Sequence, residues 1–121
     1  MAIDYSMTVV GDTLRVKANG RDDSLTEVQQ YGLAIVNHAI KAQATKILCD
    51  ETDLIYALDT FDTFESARFI ADTAPKIARV AIACGPNSEA DAEFWETVAI
   101  NRGLQVRFFP TVAEAEEPLA Q

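Results

Sequence analysis

The chain has 121 residues, 49% of them apolar, which is enough for the core of one domain and too many for a disordered polymer. Nineteen acidic side chains against ten basic ones leave a net charge of −9, which excludes nucleic acid and anionic membrane as main partners and allows a basic protein. Two cysteines outside any CxxC pair and one histidine do not make a zinc constellation, and no apolar run reaches the ~18–20 residues of a membrane span.

MAIDYSMTVV lacks a basic stretch followed by an apolar one, so no secretory signal is expected, and the reading is a cytoplasmic, bacterial-type protein with reduced thiols. Leu14, Val16 and Ala18 alternate with the period of a half-buried strand, and Gly11-Asp12 marks a hairpin turn before them. Ser24 with Glu27 three residues on is a capping box. It opens a helix whose Leu25, Val28, Ile35, Val36, Ala39 and Ile40 fall largely on one face. Gly32 inside that helix costs about 1 kcal/mol, and close packing on the sheet is the expected reason for it.

TKILCDE then reads as a buried parallel strand. A long loop spanning 54–64 leads into a helix over 63–74, stopped by Pro75. Residues 78–85 form a second buried strand, and Ser88 caps a helix that ends at Gly103 in the left-handed position. LQVRFF is the last strand, and Pro110-Thr111 open a short helix through Ala115, before Pro118 and a frayed tail. The order β-β-α-β-α-β-α-β-α predicts one α/β domain with a mixed, mostly parallel sheet.

In such sheets chemistry gathers beyond the carboxyl ends of the parallel strands, here the loops 49–63, 84–88 and 109–111. CGPNSE has one glycine and is no phosphate cradle, so Ser88 reads as a helix cap. Asp50, Glu51 and Asp53 lack the acidic pair and the lysine of a phosphoacceptor site, and read as solvated acids, not as metal ligands. Cys49 and Cys84 read as small apolar residues, His38 as exposed, and Trp95 with Phe94, Val98 and Ala99 as a core face. No nucleophile–base pair, metal set or cofactor fingerprint is present, so neither an enzyme nor a cofactor is expected.

YALDTFDTFESARF is the most informative stretch. Thr60, Asp62 and Thr63 compete to cap the helix, and Asp62 with Glu65 satisfies the capping box. Phe61 and Phe64, added to Leu54, Ile55, Tyr56 and Leu58, exceed what one helix face needs. The loop therefore either folds back as a lid or presents an apolar patch.

The initial hairpin, KILCDET, the helix after LDTFDTFE, ARVAIACG and LQVRFF together resemble the STAS domain of anti-sigma-factor antagonists. The likeness is to the SpoIIAA-like group, sometimes joined with Sec14-type lipid-binding proteins. Those antagonists carry an Asp-Ser-Ser-Gly-like segment at the start of this helix, where a serine or threonine is phosphorylated by the cognate kinase. The resemblance carries that hydroxyl to Thr60 or Thr63, while Phe61 and Phe64 stand where the small residues and glycine are missing.

The expectation is a non-enzymatic regulatory or protein-interaction domain, contacting a protein partner or a second copy of itself in a homodimer. Its contact residues are Leu54, Tyr56, Leu58, Phe61 and Phe64. The alternative is a carrier of a small apolar molecule or lipid of the Sec14-like type.

Overall fold

The structure is a computed structural model that describes residues 2–75 and 78–120. Strands β1 (Ile3–Val10) and β2 (Thr13–Asp22) form the expected antiparallel hairpin, turning through Gly11 at φ 61°. Helix α1 (Leu25–Ala42) starts at Ser24, whose Oγ accepts the Glu27 N–H at 3.3 Å, the forward half of the expected capping box, while the Glu27 carboxylate accepts the Ile3 N–H of β1. Next come β3 (Lys46–Tyr56), α2 (Thr60–Thr73), β4 (Arg79–Cys84), α3 (Glu89–Asn101), β5 (Gln105–Phe109) and α4 (Val112–Leu119). The five strands lie in chain order, with only β1–β2 antiparallel and β2 to β5 parallel.

One face of the sheet carries Leu14, Val16, Ala18, Ile47, Cys49, Ile82 and Val106, buried beneath α1, α2 and α3. Helix α2 packs between α1 and α3. The other face buries Leu48, Ala81 and Ala83 under Ala115 and Leu119 of α4. Trp95 of α3 bridges two layers: its indole N–H donates to Ser66 Oγ of α2 at 2.8 Å, and its ring meets Phe108 of β5 edge to face.

Four expectations need correcting. The strand begun by TKILCDE does not end at its acids but runs to Tyr56, so Leu54, Ile55 and Tyr56 belong to the sheet and the connection to α2 is only residues 57–59. A bulge allows this: Lys17 pairs with Asp50 but Asn19 with Asp53, leaving one extra residue on β3. Helix α2 begins three residues earlier than expected, with Asp59 as its N-cap, accepting the Asp62 N–H at 2.8 Å. Asp62 lies inside the first turn.

Gly32 makes its close approach to α2 rather than to the sheet. A Cβ there would stand 2.2 Å from Ile70 Cδ1. Helix α4 continues past Ala115 and includes Pro118, whose missing N–H removes one bond from the last turn. Of the tail expected to fray, Gln121 lies outside the described residues.

Candidate functional site

The carboxyl ends of β2 and β3 meet the start of α2 at one edge of the sheet. Asp22, the last residue of β2, holds this corner: its Oδ1 accepts the Ala57 N–H at 2.5 Å and its carbonyl accepts the same N–H at 3.3 Å. The turn from β3 to α2 is thereby anchored to the neighbouring strand. Asp59 then exposes the first turn of α2 with its N–H groups ordered.

The residues expected to make contacts divide into two sets. Phe61 is 68% exposed and Phe64 37%, on the first turn of α2. Leu54 is buried in the core, while Tyr56 and Leu58 are half-buried and line a cavity behind the helix. The structure thus brings Phe61 and Phe64 together on the surface and turns the other three inward. The two hydroxyls also part company. Thr60 is exposed at the first helical position, whereas Thr63 is buried and its Oγ1 donates to the Asp59 carbonyl at 2.8 Å.

The cavity has a volume of about 110 Å³ and lies between the sheet and helices α1, α2 and α3. Its walls are apolar, with Val28, Ile35, Ile70, Trp95 and Phe108 among them. One end is polar. There Glu51 accepts the Tyr31 hydroxyl at 2.7 Å and the Tyr56 hydroxyl at 2.5 Å, and Asp22, Thr63 and Asp91 also line the space.

Burial pushes the Glu51 carboxyl above its ordinary range, against the two phenol donors that oppose the shift. Burial likewise raises Asp22, to about 7, with the Ala57 N–H opposing and the neighbouring Glu51 and Asp91 charges adding to the rise. Tyr31, Tyr56 and Cys49 are raised by burial and by the Glu51 charge.

Glu51, expected to be a solvated acid, is instead buried at 7% exposure, and Asp22 is a site residue that the sequence reading does not single out. Their signal was available: Glu51 continues the inward alternation of Ile47 and Cys49, and Asp22 that of Leu14, Val16 and Ala18. Asp50 behaves nearer to expectation, lying on the opposite face with Lys17 Nζ at 3.0 Å. Cys49 and Cys84 are free and buried, and His38 is exposed. Among the described residues, no group of three histidines, cysteines or acids is placed to hold a metal ion, and no helix is long and apolar enough to cross a membrane.

No family model and no curated protein matches the chain. Among solved structures it is similar to an anti-sigma factor antagonist from Mycobacterium paratuberculosis, with a TM-score of 0.67 at 13% identity over 98% of this chain and 95% of that one. With one antiparallel pair and the remaining strands parallel in a sheet of alternating strands and helices, the chain has the STAS fold.

Proposed function

We propose that this chain is a non-enzymatic regulatory domain that binds a protein partner through the first turn of α2. The observation that carries the reading is the exposure of Phe61 and Phe64 side by side on that turn, where solvation gains nothing from two phenyl rings. The fold it shares with an anti-sigma factor antagonist supports a regulatory role of the same kind. The surrounding acids, Asp59, Asp62 and Glu65, favour a partner with basic residues at its rim. Of the two hydroxyls, Thr60 is the one a kinase reaches without unfolding the turn, and a phosphate there meets the free N–H groups of the helix start.

Replacing both Phe61 and Phe64 by serine tests the reading. Light scattering and partner capture should both report a loss of association while circular dichroism stays unchanged. A folded double variant with unaltered oligomeric state and unaltered capture overturns it.

A second reading, carriage of a small apolar molecule, is favoured by the cavity behind α2. Its volume of about 110 Å³ supports a single ring or a short branched chain rather than a lipid acyl chain. Native mass spectrometry of freshly purified protein checks for a retained ligand.

A further inference from the structure

The cavity between the sheet and α1, α2 and α3 has two properties that a packing defect would not combine. Its body is apolar, walled by Val28, Ile70, Trp95 and Phe108. Its end holds three carboxyl groups, the half-buried Asp91 and the buried Glu51 and Asp22, at 7% and 8% exposure. Among the described residues that line it, none is basic. Glu51 receives two phenol O–H groups and Asp22 a backbone N–H, so hydrogen bonding is met, but charge is not. A buried carboxylate without a cationic partner is costly, and both groups respond by holding their protons more tightly. A cation placed at this end would meet carboxyl groups and no opposing basic side chain.

The position is also one that a ligand can reach. Tyr56, Leu58 and Asp91 are half-buried, so the acidic end approaches solvent at the carboxyl edge of the parallel strands. An aliphatic-lined cavity of about 150 Å³ admits benzene, so about 110 Å³ suits a compact ring with the walls adjusting slightly.

We infer that the cavity is a binding site for a compact apolar ammonium compound, its ring among Val28, Ile70 and Trp95 and its ammonium group at Glu51 and Asp22. The inference rests on the small-molecule reading above and is independent of the protein-contact reading. The ammonium group would supply the charge partner, and the ring would fill volume that no side chain occupies.

NMR titration of the full chain with benzylamine, toluene and benzoate tests it. Benzylamine should give saturable shifts at Gly32 and other cavity amides, with a Kd of about 1 mM or below. It should bind at least about fivefold more tightly than toluene, and benzoate should not bind. Glu51→Gln and Asp22→Asn should each reduce that preference, and Asp22→Asn serves alone if Glu51→Gln does not fold. Val28→Phe, which fills the space, should abolish binding of both ring compounds. Equal binding of toluene and benzylamine overturns the ammonium inference and leaves the small-molecule reading standing. Absence of saturable shifts with either compound, or full binding to Val28→Phe, overturns both.

Discussion

The Tyr31 hydroxyl, carried by α1, donates to Glu51 at the centre of the sheet at 2.7 Å, and so ties a helix to a strand through a buried acid. Tyr56 donates to the same carboxylate. Glu51→Ala leaves two phenol groups unpaired and opens further space in the cavity, and should cost about 3 kcal/mol in urea unfolding. Glu51→Gln keeps one acceptor and the shape, and should cost about 1–2 kcal/mol. A Glu51→Ala protein as stable as the parent would show that the carboxylate contributes nothing to this tie.

Asp22 makes stability depend on pH in a stated direction. Its carboxyl, raised by burial to about 7 from an unfolded value near 3.8, binds its proton more tightly in the folded state. The resulting stabilisation is fully present below about pH 4 and is lost as the pH rises through about 7. Glu51 is shifted the same way, and Asp23 and Asp91 face Asp22 with further negative charge. Asp22→Asn should therefore gain about 1–3 kcal/mol at pH 8 and almost nothing at pH 4. Thermal unfolding across that range gives the curve, and a variant gain independent of pH would contradict the assignment.

The start of α2 can be checked by comparing two aspartates. Asp59→Ala removes the acceptor for the Asp62 N–H and should cost about 1 kcal/mol. Asp62→Ala removes only a favourable charge near the helix N-terminus and should cost about 0.5 kcal/mol or less. The reverse order would restore Asp62 as the cap.

Phe61 contributes little to folding, since two thirds of it already faces water. Phe61→Ser should change stability by less than about 0.5 kcal/mol, and Phe64→Ser by about 1 kcal/mol. Any larger effect on partner binding then belongs to the contact itself, as measured by calorimetry against an isolated partner.

Gly32→Ala sets two effects against each other. Helix propensity favours alanine by about 1 kcal/mol, but a Cβ standing 2.2 Å from Ile70 Cδ1 makes that side chain turn aside toward the cavity, at about 1 kcal/mol. The two effects should nearly cancel in the single variant. Ile70→Val removes the offending methyl, so the double variant should be more stable than the sum of the single ones predicts.

Much of the fold was legible because it rests on local patterns. The hairpin turn at Gly11, the Ser24 cap and the runs around Ile47, Ile82 and Val106 each have a period or a turn signal that needs no tertiary context. The site was less legible. Leu54 to Tyr56 read as loop because the alternation of β3 breaks at the bulge, and the partner strand that supports the break is 33 residues away at Lys17. Asp62 offers the better capping box in sequence, while the anchoring of Ala57 by Asp22 sets the helix start at Asp59. Gly32 meets Ile70 of α2, a neighbour that no local pattern specifies, because tertiary packing decides which surface a helix meets at a glycine.

The single extra residue on β3 has a consequence for how this fold can vary. Before it, odd-numbered residues face the helices: Ile47, Cys49 and Glu51. After it, even-numbered ones do: Leu54 and Tyr56. The bulge is a change of parity, and it is what aims the Glu51 carboxylate and the Tyr56 hydroxyl into the same space although they are five residues apart. Removing Thr52 would take out the extra residue, and ordinary alternation from Glu51 would then carry Asp53 and Ile55 outward and Leu54 and Tyr56 inward without a bulge. The strand can therefore lose that one residue without turning over, and the inner chamber should survive its loss.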